Sequence, residues 1–265
     1  MTAPVFEAVL VALDGAVATV TLNQPEKRNP LSAAMVHGLG EALAWCRAEP
    51  AVRVVVLTGA GDRAFCAGAD LASSFDAGGD QLARHQQRRP IADLFLALRD
   101  LGKPVVGRIN GHALAGGFGL ACACDILLAV ESATFGTPEI NVGVWPMMIS
   151  AILARNLPRK VVLEMMLLGD RWTAAQLKEV GLVSRVSADL AELDQLTAAV
   201  AAKLAAKSPA VMKLGRDAYY RMEGMSFEEA LAYLHSQLTL VTLSEDAQEG
   251  VRAFLEKREP DFKGR

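Results

Sequence analysis

The chain alternates between short runs of consecutive apolar residues and longer stretches in which apolar positions recur every three or four residues. That is the pattern of strands covered on both faces, interleaved with amphipathic helices. Residues 9–13 and 16–22 are rich in strand formers and flank Asp14-Gly15, a pair suited to a type I′ turn, so they predict a β-hairpin. A polar loop over 23–30 follows, and Ser32 can cap a helix whose apolar face carries Leu31, Met35, Leu39, Leu43 and Cys46. Residues 52–57 read as a buried strand and 71–89 as a mobile polar loop with a ragged helix. Ile91, Leu94, Phe95, Leu98 and Leu101 then form a regular helical face closed by Gly102 and Pro104. Residues 105–109 are the next strand, and an Asn110-Gly111 turn leads into small apolar residues that suit a buried helix. A strand at 125–130 is followed by two apolar helices between 147 and 168, meeting at Leu157-Pro158-Arg159. Thr173 to Gln176 is a capping box opening a third helix, 182–186 is a short strand, and beyond Asp189 the pattern is helical to Lys263, with a second capping box at Ser226 to Glu229. The order divides the chain into a core over 1–195 and a helical region over 196–265 whose apolar faces need partners, an oligomer interface being the natural one. Met147, Met148, Met165 and Met166 belong to core or subunit packing.

Composition narrows the function. At 265 residues, 52% hydrophobic and 22% charged, the chain can bury a large core. A net charge of -3 provides no basic surface for nucleic acid. Cys46, Cys66, Cys122 and Cys124 lack C-x-x-C pairing and sit among apolar neighbours, which reads as buried thiols in a reducing compartment and argues against metal ligation. No basic and apolar leader opens the chain, and the apolar run over 113–124 is too short and too rich in glycine to span a bilayer. A cytoplasmic protein with no membrane partner is expected.

Three stretches carry candidate chemistry. Gly59 to Ala64 matches the dinucleotide fingerprint G-x-G-x-x-A, yet a second glycine turn at Gly68 follows it where a helix is required, so nicotinamide binding is set aside. That second turn lets the backbone N–H of Ala69 face an open site. Gly116 and Gly117 admit two readings: backbone N–H groups that a substrate oxygen can approach without meeting a Cβ, or tight helix packing. Glu139, set between apolar residues and glycines in Thr137-Pro138-Glu139-Ile140, is either a desolvated base for a carbon acid or a carboxylate at a helix start. Lys27 and Arg28 are either phosphate contacts or solvated loop charges.

Taken in order, Lys27-Arg28-Asn29-Pro30-Leu31, Ala64-Phe65-Cys66-Ala67-Gly68-Ala69-Asp70-Leu71, Asn110-Gly111-His112-Ala113 with its glycines, Phe135-Gly136-Thr137-Pro138-Glu139, and Ala253-Phe254-Leu255-Glu256-Lys257-Arg258 resemble the enoyl-CoA hydratase/isomerase or crotonase family. The resemblance implies an α/β crotonase-like spiral of ββα units with a C-terminal helical trimerisation region, trimers often pairing into hexamers. It implies an acyl-CoA thioester as substrate, with coenzyme A part of the substrate and no separate cofactor. The thioester oxygen would lie between the N–H groups of Ala69 and Gly116, fixed donors of a kind worth on the order of 3 kcal/mol each against enolate charge. By the same likeness Ala67, Gly68, Asp70 and Leu71 would hold adenine and pantetheine, Arg28 a phosphate, and Phe254 and Lys257 the CoA of a neighbouring subunit.

One departure bears on the reaction. Hydratases of this family resemble one another in using two glutamates; Glu139 matches the second, and Gly119 stands at the first. A single carboxylate can shuttle a proton between the α and γ carbons, which suits a 3-enoyl to 2-enoyl isomerase. The run over 142–148 and Pro158-Arg159-Lys160-Val161 instead look like proteins labelled hydratase, including those of branched or carboxylate-bearing enoyl-CoAs, so hydration comes first. A non-catalytic acyl-CoA-binding protein is the reading of another class, and a serine hydrolase lacks its G-x-S-x-G motif. If position 119 is open, a glutamate placed there is expected to raise hydration.

Overall fold

A computed structural model describes residues 4–68 and 81–265. Val9–Asp14 (β1) and Val17–Leu22 (β2) form the expected antiparallel hairpin, with Asp14 opposite Val17 and Gly15 at φ +55° in the turn. Strand β2 buries Ala18, Val20 and Leu22 on one face, the period of a half-covered strand. Ala33–Ala48 (α1) starts where Ser32 Oγ accepts the Met35 N–H at 3.2 Å, and it buries Met35, Leu39, Leu43 and Cys46. Leu31, expected on that helical face, is buried just ahead of the cap.

From there the chain repeats one unit: a strand in one sheet, a strand in a second sheet, then a helix. The units are Val54–Gly59 (β3), Ala64–Cys66 (β4) and Gln81–Arg99 (α2); Val105–Ile109 (β5), His112–Leu114 (β6) and Gly116–Cys122 (α3); and Ile126–Val130 (β7), Thr134–Gly136 (β8) and Met147–Asn156 (α4). After Arg159–Leu168 (α5) come Arg171–Thr173 (β9), Ala174–Glu179 (α6) and Arg185–Ser187 (β10). The larger sheet has the order β1-β2-β3-β5-β7-β10 and the smaller β4-β6-β8-β9, so each repeat advances both sheets by one strand. This is the crotonase-like α/β spiral. Parallel β3 is buried along its whole length, which is why it shows no alternation in sequence.

The remaining helices are Leu190–Ala205 (α7), Pro209–Met222 (α8), Phe227–Leu243 (α9) and Glu245–Glu256 (α10). Position 195/196, expected to divide core from helical region, falls inside α7, and α7 lies against β3, β5 and β7 as part of the core. Helix α9 buries none of its residues; Phe227, Leu231, Leu238 and Leu243 all stand exposed on it. Of the methionines, Met165 and Met166 are in the core, while Met147 is 73% exposed.

The structure corrects four expectations. Helix α2 runs unbroken from Gln81 through Pro90, where a ragged helix within a mobile polar loop was expected over 71–89; residues 71–80 of that stretch lie outside the described residues. Strand β6 intervenes between the Asn110-Gly111 turn and α3, too short to show a period. The strand expected over 182–186 lies at Arg185–Ser187, paired with β7. Helix ends at Glu256, not Lys263: the last residues fold back, with the Asp246 carboxylate accepting the N–H groups of Lys263 (2.7 Å) and Gly264 (2.9 Å). Among the described residues no helix is long and apolar enough to cross a membrane.

Candidate active site

Two asparagines build the scaffold of the site. Asn29, fully buried with φ +53°, donates from Nδ2 to the carbonyls of Ala60 (3.0 Å) and Ala64 (2.9 Å) and accepts the Gln24 N–H. Asn110 accepts the Gly59 N–H at 3.1 Å and donates to Gly61 O at 2.8 Å. These bonds fold the glycine turns of 59–61 against the edge of β4. A Cβ on Gly59 would lie 2.4 Å from Phe65 O, so this glycine serves close packing, and a strand, not a helix, follows the fingerprint.

The loop carrying Arg28 is tied to the second glycine turn. Ala67 N–H donates to Arg28 O (3.0 Å) and Leu31 N–H to Gly68 O (2.8 Å). Gly68 has φ +94°, and a Cβ there would meet Ala115 Cβ at 2.6 Å and Gly116 N at 3.5 Å. Only glycine fits. Gly68 therefore lies immediately beside Gly116; Ala69, Asp70 and Leu71 lie outside the described residues. Ala115 holds the unusual backbone conformation φ +50°, ψ −129°, fixed by its N–H bond to Gly136 O (2.9 Å), and it turns the chain into α3 with Gly116 first. The Gly116 N–H, at the first helical position, finds no acceptor among the described residues.

Glu139 is brought to the same place by the smaller sheet. Strand β8 pairs with β6, and Gly136, joined to Ala115, is followed by the 3₁₀ turn Pro138–Val142 that carries Glu139. Thr137 Oγ1 anchors this turn by donating to Met165 O at 2.8 Å. Glu139 Oε2 is buried without a hydrogen-bond partner among the described residues. Burial pushes the carboxyl's pKa above its ordinary value, and a bond to its own backbone N–H opposes the rise. An acceptor held in this state is poised to take a proton from a ligand.

Position 119 is not open. A Cβ on Gly119 would lie 2.4 Å from Ile149 Cγ2 on α4 and 3.0 Å from Phe95 Cζ on α2, so an apolar wall stands where the second carboxylate was sought. A glutamate at 119 must displace Ile149, which is 4% exposed, and the expected gain in hydration from that substitution alone is withdrawn. Neither wall residue was legible as such, since only the fold brings two other helices onto α3.

Arg28 lines a pocket of about 460 Å³ together with Arg63, His112 and Arg171, and the pocket reaches Ala67 and Leu114 beside the glycine turn. Arg28, Arg63 and Arg171 form no ion pair among the described residues, and with Asp62 also in the lining the pocket carries a net positive charge. His112 is kept neutral: burial lowers its pKa first, Arg171 and Arg28 add to the effect, and its Nδ1 lies 2.8 Å from Thr134 Oγ1. Phe254 and Lys257 are not gathered here. Phe254 is 81% exposed at the end of α10, with Lys257 at the cap.

The family profile described as enoyl-CoA hydratase/isomerase matches residues 13–265. The chain is 35% identical over 258 residues to 2,3-dehydroadipyl-CoA hydratase of Escherichia coli, covering 97% of this chain and 99% of that one. It is 34% identical to carnitinyl-CoA dehydratase of Proteus mirabilis over 265 residues, 95% of this chain and 96% of the other. Among solved structures, enoyl-CoA hydratase of Mycobacterium smegmatis superposes with a TM-score of 0.92 at 36% identity, covering 96% and 98% of the two chains.

Proposed function

The chain belongs to the enoyl-CoA hydratase/isomerase family, and from that premise we propose that it adds water reversibly to a 2-enoyl-CoA with Glu139 as sole acid and base. The observation that carries this reading is the buried, unpartnered Oε2 of Glu139 in the turn beside Gly116. In the proposed reaction the thioester oxygen lies against the N–H groups of Gly116 and Ala69, which take up enolate charge. Glu139 accepts a proton from the water whose oxygen bonds to C3 and returns a proton to C2, so the carboxylate ends as it began. Arg28, with Arg63 and Arg171 beside it, supplies positive charge for a CoA phosphate, and by the family likeness Ala67, Gly68, Asp70 and Leu71 would hold the adenine and pantetheine. No cofactor is required beyond the CoA of the substrate. Relatives named for dehydroadipyl-CoA and carnitinyl-CoA support acyl groups that carry charge or branching.

A second reading has its own support. The wall of Ile149 and Phe95 over Gly119 provides no carboxylate for a second hold on water, which favours 3-enoyl to 2-enoyl isomerisation: Glu139 takes the proton from C2 and returns it to C4. Mass spectrometry of 2-enoyl- and 3-enoyl-CoA esters incubated with the protein in deuterated water separates the two. Hydration adds the mass of one D₂O. A moved double bond without that addition assigns the isomerase, and tight binding with no product on any ester assigns a non-catalytic acyl-CoA-binding protein.

We also propose that the protein acts as a homotrimer, or a pair of trimers, in the cytoplasm. The uncovered apolar residues of α9 and the exposed Phe254 support the assembly, and four free, buried thiols suit a reducing compartment. Phe254 and Lys257 would then meet the CoA of a neighbouring subunit. Sedimentation velocity checks this: a single species of 28.2 kDa at micromolar concentration would exclude the assembly.

A further inference from the structure

We propose that Phe95, closing with Ile149 over Gly119, is the gate that sets acyl-chain length, and that the apolar cleft behind it receives the tail of a longer chain. This inference rests on the reading of the site as one for CoA thioesters.

Phe95 belongs to two surfaces at once. Its Cζ stands 3.0 Å from the place a Gly119 Cβ would take, and its ring lines a cleft of about 800 Å³ on the other side. The cleft also touches Cys122, one turn further along α3 than Gly119. The wall over Gly119 therefore separates the catalytic turn from a space within the roughly 300–1,000 Å³ range of small-molecule sites. Leu96, Met148, Ile152 and Met212 provide its apolar surface.

The two wall residues differ in freedom. Ile149 is β-branched, 4% exposed and wedged into the core, so its rotamer is fixed. Phe95 is half-buried at the edge of the core and open to the cleft it lines, so its ring is less confined than the Ile149 side chain. The charged groups lining the cleft are paired: Arg155 with Glu223 at 3.3 Å, Arg216 with Asp125 at 2.9 Å, and Arg99 with Asp100, outside the lining, at 2.9 Å. A flexible apolar chain suits the surface that Leu96, Met148, Ile152 and Met212 provide, since the cations of the lining already have partners.

The test compares kcat/KM for short and long straight-chain 2-enoyl-CoA esters in the wild type, Phe95→Ala and Phe95→Leu, together with calorimetric titration of saturated acyl-CoAs of the same lengths. Each methylene buried beyond the wall is worth roughly fourfold, so the long-to-short ratio is expected to rise at least about tenfold in Phe95→Ala. Phe95→Leu shows a smaller rise and covers the case in which the alanine variant does not fold. Adding Ala151→Trp, an exposed position lining the cleft, is expected to cancel the gain for the long ester and spare the short one. An unchanged ratio in folded variants that still process the short ester, or a gain that survives Ala151→Trp, overturns the gate. Failure of the wild type to bind any CoA ester overturns instead the reading on which the gate rests, and the gate with it.

Discussion

Glu139→Gln is expected to lower kcat on whichever enoyl-CoA the protein processes by about 10²–10⁴-fold, the usual contribution of a positioned acid–base group. Affinity for the ester is expected to stay within a few-fold, because the proposed CoA contacts lie elsewhere, at Arg28 and the Gly68 turn. Burial raises the Glu139 pKa, so the ionised form that accepts a proton is lost earlier as pH falls than it would be for an exposed glutamate. The acidic limb of kcat/KM should therefore lie at higher pH than an exposed glutamate would place it, and disappear from the residual activity of the variant. Stability moves the other way. A folded-state pKa above the unfolded one stabilises the fold while the carboxyl is protonated, and this is lost as pH rises through the folded pKa. Glu139→Gln should thus melt no lower than the parent at neutral pH, with any advantage shrinking on acidification. Retained turnover would remove Glu139 from the reaction, and a clearly lower melting temperature at neutral pH would contradict the raised pKa.

Most of the fold was legible because its signals are local. Ser32, Thr173 and Ser226 each cap the helix they were expected to open, the last two as full capping boxes. A cap depends on a few consecutive residues and survives whatever packs around it. Glu139 stood out for a related reason, as a carboxylate among apolar neighbours in its own turn. What was not legible depends on residues that only the fold brings together. Nothing near Gly119 in the chain announces Ile149 or Phe95, so a missing glutamate read as a gap when it is a filled contact. Polar helix residues misled in the same way: 81–89 read as a ragged helix in a loop because so polar a stretch carries no apolar period, although the helix there is regular. Arg63 and Arg171 join Arg28 in one pocket from separate turns of the spiral, and no spacing rule connects them.

Arg216→Ala is expected to be the most destabilising single change outside the site, and the sequence offered no hint of it. Arg216, 8% exposed on α8, sets its Nε against the Asp125 carboxylate at 2.9 and 3.1 Å. Its Nη1 and Nη2 donate to the carbonyls of Arg99 and Leu98, each at 2.7 Å, at the C-terminal end of α2. Asp125 also accepts the Val105 N–H at 2.7 Å and the Tyr220 hydroxyl at 2.6 Å. Burial first, and the neighbouring carboxylate next, raise the tyrosine pKa and keep that hydroxyl a donor. One guanidinium thus joins α8 to the end of α2 and, through Asp125, to the starts of β5 and β7. Its removal leaves a partly exposed carboxylate without its cation and two carbonyls without their donor, a loss of about 3 kcal/mol. For a chain of this size that corresponds to a fall of about 10 °C in Tm. Arg216→Lys should recover only part, because an ammonium cannot span the carboxylate and both carbonyls in the fixed fork of the guanidinium. Combined with Asp125→Ala, the losses should fall short of additivity by about 0.5–3 kcal/mol, since each single change already breaks the shared bond. Below the transition, kcat on a short ester, which does not reach the cleft lined by Arg216, is expected to match the parent, because no bond of this cluster reaches Glu139, Gly116 or Gly68. A Tm within 2 °C of the parent, about the effect of less than 1 kcal/mol, would mean that the clamp carries little of the fold's stability.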